Sequence, residues 1–341
     1  MKNYNQICLY LFILVFLNAC NDKKTRYYQD TGEIFHTTYS IKYEYSRSLT
    51  EDIIKELNRF DNSLNPFKKE SVISKVNNNE PVVLDSLFIE VFNKSQEVSH
   101  VSGGLFDITC SPFINAWGFG FKNLENITPQ LIDSLKEFTG YEKIDIADGK
   151  IIKTDPRIQI NTSAIAKGFS ADIIARMLDS LGIENYMCEI GGEIVAKGIN
   201  PKDECWHIGI DKPVESKVPE QRDLQVILQI CNKAVATSGN YRNFYLKDGK
   251  KYAHTIDPRS GYPSSGNVLS ATVIAGNCMT ADAYATVFML TSIEQAMEIA
   301  RNEQLDIYII YNNENGQISA AYSDGFDKYF IQEQEPSAFS R

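Results

Sequence analysis

The chain has 341 residues, of which 43% are apolar and 23% charged, and it carries a formal net charge of −10. These fractions are those of an ordinary globular protein with ample material for a core. The acidic balance excludes a nucleic-acid binder, because no basic stripe is present to displace counterions from phosphates.

Lys2 gives a weak positive start, and Ile7 to Leu17 is an unbroken apolar run of eleven residues. That is too short to span a bilayer and suits a signal peptide, read here as residues 1–19. The run ends in Leu17-Asn18-Ala19-Cys20, which resembles a bacterial lipoprotein processing site. The resemblance implies cleavage before Cys20, lipidation of its thiol and a polar tether over 20–31. The mature protein is then expected in the bacterial cell envelope, lipid-anchored to a membrane and facing the periplasm. A plain secretory signal with an incidental cysteine is the alternative.

Strand alternation at Thr38 to Tyr45 puts Tyr39, Ile41, Tyr43 and Tyr45 on one face. A helix follows with Ile53, Ile54, Leu57 and Phe60 on one stripe, and another runs from about Ser86 to Val101. A third opens with Thr128 as N-cap and Pro129 in its first turn, and closes at Gly140. Ala164 to Leu181 reads as an amphipathic helix ended by Gly182. Strands then dominate: Tyr186 to Ile190, Trp206 to Ile210, Leu224 to Ile230, Lys233 to Thr237 and Val268 to Ala275. Helices near Thr280 to Leu290 and Ser292 to Asn302 precede strands at Ile307 to Tyr311 and Gln317 to Ala321.

Strands and helices do not alternate strictly, which points to an α+β domain with a largely antiparallel sheet. Neither GxGxxG nor GxxxxGK[ST] is present, so a bound nucleotide would need another device. Cys110, Cys188, Cys205, Cys231 and Cys278 form no CxxC pair and read as buried small apolar residues, with room left for one disulfide.

The chemistry-bearing residues fall in short segments. Gly103-Gly-Leu-Phe-Asp-Ile-Thr-Cys-Ser-Pro112, continuing to Trp117-Gly-Phe-Gly120, is either a loop with packed aromatics or a pocket for a flavin or base. In Asn161-Thr-Ser-Ala-Ile-Ala-Lys-Gly168, Thr162 and Ser163 suit helix capping. Lys167, one turn in, opposes the helix dipole and is better explained by an anionic ligand. Gly191-Gly192-Glu193 is a turn or a close backbone approach to a ligand.

Ala236 to Gly261 crowds Thr237, Ser238, Arg242, His254, Asp257 and Arg259 between glycines and a proline, a set that suits a phosphate-bearing ligand. His254 is either structural or the acceptor of a proton from a hydroxyl nucleophile. Asp282 and Thr286, four apart, face the same way on a helix and offer hard oxygens that suit magnesium. A capping Asp and a back-bonded Thr are the alternative.

Phe60-Asp61 to Ser71, GGLFDITCSP with WGFG, NTSAIAKGFSAD, GGEIVAKG, ATSGNYRNF, HTIDPRSGYP and TADAYAT occur in that order. Together they resemble the ApbE family of FAD:protein FMN transferases. The resemblance implies one ApbE-like, T-fold-related α+β domain over 32–335, its mainly antiparallel sheet flanked by helices. It also implies a reaction in which FMN moves from FAD onto a threonine of an acceptor protein and AMP leaves. The acceptor would be a subunit of a membrane redox complex.

By family position Mg2+ is held by Asp282, Thr286 and the backbone carbonyl of Ala164, and His254 takes the threonine proton. The flavin nucleotide contacts Phe35, Phe67, Leu105, Phe106, Asp107, Asn161, Lys167 and Ile256. Three positions depart from the commoner pattern. Asn161 stands for Asp, Phe35-His36-Thr37 for Met-Gly-Thr, and Phe67 for Tyr. Two competing readings keep the same site: magnesium-dependent hydrolysis of FAD to FMN and AMP, and a non-catalytic flavin-binding lipoprotein.

Overall fold

The computed structural model describes residues 25–120, 126–213, 224–240, 244–247 and 250–331. The signal segment, Cys20 and Arg242 lie outside these described residues. The chain enters through strands β1 (Arg26–Ile34) and β2 (Thr37–Tyr45). Helices α1 (Thr50–Leu64), α2 (Val72–Asn77), α3 (Ser86–Val101), α4 (Ser111–Ala116) and α5 (Pro129–Lys136) follow. A small hairpin, β3 (Ile144–Ala147) with β4 (Lys150–Lys153), leads to the long helix α6 (Ala166–Ser180). Next come β5 (Tyr186–Ile190), β6 (Glu193–Lys197), β7 (Trp206–Asp211), β8 (Leu224–Ile230) and β9 (Lys233–Gly239). Short strands β10 (Phe244–Lys247), β11 (Lys250–Ala253), β12 (Ile256–Asp257) and β13 (Tyr262–Pro263) precede β14 (Val268–Ala275). Helices α7 (Cys278–Phe288) and α8 (Ile293–Asn302), then β15 (Asp306–Asn312) and β16 (Ile318–Tyr322), close the fold.

One sheet organises the molecule, in the order β1-β2-β5-β6-β9-β14-β15-β16. Every neighbouring pair in it is antiparallel, which matches the expected α+β class. The central strands are buried on both faces. In β15, Ile307 and Ile309 point into the core shared with the helices, while Tyr308 and Ile310 point to the other side. There the β7–β8 hairpin and the turn Phe326–Tyr329 cover the sheet through Trp206, Leu228 and Phe326. The result is three layers, with helices on one face and a hairpin on the other.

Local signals account for several boundaries. The Asp85 carboxylate accepts from Phe88 N and so starts α3, and the Thr128 hydroxyl accepts from Leu131 N ahead of Pro129 in α5. Two expectations need correction. Strand β1 begins at Arg26, within the stretch read as a tether. It is an edge strand with no fully buried residue on either face, so its sequence lacks the apolar alternation of a half-buried strand. Cys205 and Cys231 are not simply buried apolar residues: they form a disulfide across 26 residues. Cys188 and Cys278 are buried free thiols, as expected. Among the described residues no helix is long and apolar enough to cross a membrane.

Candidate active site

The site is built where α6 and α7 cross. A Cβ on Gly168 would lie 2.2 Å from the Cys278 carbonyl oxygen and 2.7 Å from Asp282 Cβ. Only glycine permits that approach. The Gly168 amide, in the first turn of α6 where backbone donors lack helical partners, donates to Asp282 Oδ2 at 2.9 Å. One turn further along α6, Asp172 accepts from Cys278 N and Met279 N, each at 2.8 Å. The start of α7 is therefore capped by a carboxylate from α6. Burial pushes the Asp172 carboxyl up to about 6, against the pull of those two amides.

Lys167 lies between two carboxylates. Its Nζ donates to Glu193 Oε1 and stands 3.8 Å from Asp282 Oδ1. A third of the lysine side chain is open to solvent, whereas both carboxylates are 4% exposed. Burial works against the ammonium, but Asp282 and Glu193 outweigh it and hold the lysine protonated. Burial raises the Glu193 carboxyl above the usual range, with Lys167 opposing. Two buried oxygens beside this cluster have no hydrogen-bond partner: Glu193 Oε2 and Thr162 Oγ1.

Thr286 follows Asp282 by one turn. Its hydroxyl has only long contacts, 3.5 Å to Ser238 Oγ on β9 and 3.5 Å to the Asp282 carbonyl. The Asp282 carboxylate and the Thr286 hydroxyl are thus hard oxygens one turn apart on α7, and the third expected donor, the Ala164 carbonyl, lies just before α6. This donor set fits a magnesium ion that keeps waters or phosphate oxygens as further ligands. Among the described residues no group of three His, Cys, Asp or Glu side chains stands together, so a zinc-type site has no candidate.

Thr162 does not cap α6 with its side chain. Its carbonyl accepts from Ile165 N and Ala166 N, and its hydroxyl is left over. Asn161 ties two of the segments together: its amide donates to the Ile108 carbonyl at 2.7 Å, while its Oδ1 accepts from Ser163 N. Behind that junction, Asp107 Oδ1 accepts from both the amide and the hydroxyl of Thr109. Burial raises the Asp107 carboxyl and the Thr109 bonds oppose it. Leu105 and Phe106 pack into the main core, and Phe106 is 2% exposed, so its ring belongs to the scaffold.

The remaining expected residues have their own local partners. Phe35 packs its ring on Phe60 at 5.1 Å, and Phe60 in turn meets Phe169 of α6. Phe67 is exposed and pairs with His36. Ile256 joins a separate cluster with Phe113, Trp117 and Ile132. His254 is half-buried, with its ring 6.4 Å from that of Phe119. Next to it Thr255 Oγ1 donates to Asn240 Oδ1 just after β9, and the Arg259 chain lies against Gly104. The Arg259 guanidinium is engaged by Asp257, so of the two arginines in this segment the described one is a turn clamp.

The model of the family described as "ApbE family" matches residues 35–309. The chain belongs to the ApbE family. An "FAD:protein FMN transferase" of Vibrio cholerae is 34% identical over 89% of this chain and 92% of its own length. One from Haemophilus influenzae is 33% identical over 90% and 92%. The solved "Flavin Transferase ApbE from Vibrio cholerae" superposes with a TM-score of 0.80 at 31% identity, covering 90% of this chain and all of that one. In this ApbE-family chain Glu193, expected only as part of a turn or close backbone approach, and Asp172, with no expected role, lock Lys167 and α7 in place. The signal for Glu193 was an acidic residue directly after two glycines, at the head of a strand whose other residues are mostly apolar.

Proposed function

We propose that the protein transfers the FMN moiety of FAD to a threonine hydroxyl of an acceptor protein, releasing AMP, with Mg2+ as cofactor. The observation that carries this reading is the 34% identity to an FAD:protein FMN transferase over 89% of this chain. In the structure the Gly168 amide holds Asp282, one turn before Thr286 and 3.8 Å from a lysine kept as a cation. Magnesium bound to Asp282, Thr286 and the Ala164 carbonyl would supply charge neutralisation for a pyrophosphate.

The chain's own residues do the rest. Lys167 presents an ammonium whose open third faces an anionic ligand, and Glu193 fixes its direction. Asn161, held by Ile108 and Ser163, and the buried Thr162 hydroxyl offer hydrogen bonds at the same edge. An imidazole nitrogen of His254 accepts the proton as the threonine oxygen bonds to the FMN phosphorus. The bond from that phosphorus to the oxygen of AMP breaks, and AMP departs with both bonding electrons.

The location follows from two features. A lipoprotein-like signal ending at Cys20 favours a lipid-anchored protein of the cell envelope, facing the periplasm. The Cys205–Cys231 disulfide favours an oxidising compartment. The acceptor fits a subunit of a membrane redox complex. The test is incubation of the protein with FAD, magnesium and a threonine-bearing acceptor, with mass spectrometry for added FMN. AMP released at the same rate without acceptor overturns the transferase reading in favour of hydrolysis. Stoichiometric flavin retention without turnover overturns both.

A further inference from the structure

A groove of about 680 Å³ lies where the segment between α2 and α3 meets the β3–β4 hairpin. Its walls are apolar: Val76 near the end of α2, Val82 to Leu84 ahead of α3, and Ile151 of β4. Val83 is 87% exposed, the most open large apolar side chain among the described residues. Backbone groups are open here as well. No amide or carbonyl from Pro81 to Leu84 has a backbone partner among the described residues, and β4 pairs only with β3.

The groove is positive, in a chain whose net charge is −10. Lys150 and Lys153 line it against one acid, Glu80, whose carboxylate accepts from Asn78 Nδ2 at 3.2 Å. Lys153 is partly buried, and its Nζ donates to the Val76 carbonyl at 2.7 Å and to Asn79 Oδ1 at 3.1 Å. Both partners are neutral. Burial, unopposed by any carboxylate, brings the Lys153 ammonium down to about 8. A cation drawn out of water is ordinarily paired, so Lys153 favours an anion from outside the chain.

Two asparagines tie the groove to the strip of chain that enters the active site. Asn77 Nδ2 donates to the Ile160 carbonyl at 2.9 Å, and Asn77 Oδ1 accepts from Ile160 N at 2.7 Å. Asn79 Nδ2 donates to the Pro156 carbonyl at 2.9 Å. Pro156 lines the groove and precedes Asn161 by five residues, a span of at most about 18 Å.

We infer that this groove is a docking surface for an extended, acidic segment of the acceptor protein, with apolar side chains at alternate positions. The inference rests on the proposed transfer of FMN to a protein. An extended segment can bond to the open backbone groups and turn every second side chain to the valine-lined wall. Its carboxylates supply the charge that Lys153 and Lys150 lack. A second point of contact this close to Asn161 raises the effective concentration of the acceptor threonine at the site.

The probe is a fluorescein-labelled, threonine-free octapeptide alternating Asp with Val, compared by fluorescence anisotropy with its Lys-for-Asp counterpart. The acidic peptide is expected to bind at least about tenfold more tightly than the basic one. Val83→Asp adds a repelling charge at an open position, and Lys153→Met keeps the apolar stem without the charge. Each is expected to weaken acidic-peptide binding by about tenfold. FAD affinity should stay at the wild-type value in both, which shows that each variant is folded. In the transfer reaction both should raise KM for a protein acceptor by about tenfold and leave kcat unchanged. Equal binding of the two peptides, or unchanged binding and KM in both variants, overturns the docking surface and leaves the transferase reading intact. Peptide binding without any FMN transfer overturns the transferase reading, and the acceptor as occupant with it. Self-association of the protein that Val83→Asp abolishes would assign the groove to a second copy of this chain instead.

Discussion

The amide of Gly168 and the carboxylate of Asp282, 2.9 Å apart, join the helix that carries Lys167 to the helix that carries Asp282 and Thr286. The Asp282 side chain therefore has two tasks: Oδ2 receives the amide, and Oδ1 faces Lys167. Asp282→Asn can keep the amide bond through its carbonyl oxygen while losing the charge. It is expected to reduce FMN transfer by at least about 100-fold at any magnesium concentration, with little change in melting temperature. Retained activity at low magnesium would refute the metal assignment.

Gly168→Ala addresses the same contact sterically. The new methyl would meet a backbone carbonyl at 2.2 Å, which cannot swing aside as a side chain can. Destabilisation of about 3 kcal/mol or more is expected in urea unfolding, with loss of activity in the folded fraction.

His254→Ala is expected to lower the transfer rate by about 100- to 10,000-fold while FAD affinity stays near wild type. Single-turnover transfer and flavin binding, measured on the same preparation, check this. Unchanged transfer would remove His254 from the mechanism.

Asp172 sets a pH signature. Its folded value of about 6 lies above that of an ordinary carboxyl. A group raised in the fold contributes stability that is fully present below its unfolded value and is lost as pH rises through its folded value. The stability of wild type relative to Asp172→Asn should therefore fall between pH ~4 and pH ~6 and level off above, by about 3 kcal/mol in total. Paired urea titrations across that range would show it, and a constant difference would contradict the assignment.

The disulfide is a separable element. Replacing Cys205 and Cys231 together by serine is expected to cost about 3 kcal/mol through the freed 26-residue separation. FMN transfer at 25 °C should persist, because the covered sheet face is not the helix face that carries Asp282. Unfolding curves with and without a reductant give the same comparison in the wild-type protein.

What could be read from sequence divides along physical lines. Helix α3 was legible to the residue, because Asp85 is a strong cap and its apolar stripe is regular. The strands at Tyr186, Trp206 and Val268 were legible as apolar runs between turn residues. Strand β1 was not, since an edge strand with no fully buried residue has no reason to alternate. The placing of Asp282 and Thr286 on one helix was legible because residues four apart share a helix face. Glu193 and the Gly168 crossing were not, because their meaning lies in contacts between segments far apart in the chain. The Cys205–Cys231 pairing is of the same kind.

The capping of α7 by Asp172 and the seating of Gly168 on Cys278 make the donor-bearing helices one unit with the interior. Strand β1 at the sheet edge and the exposed loop of Phe67 lie outside that unit. Substitutions can therefore accumulate on those outer segments while the crossing of the two helices is left untouched.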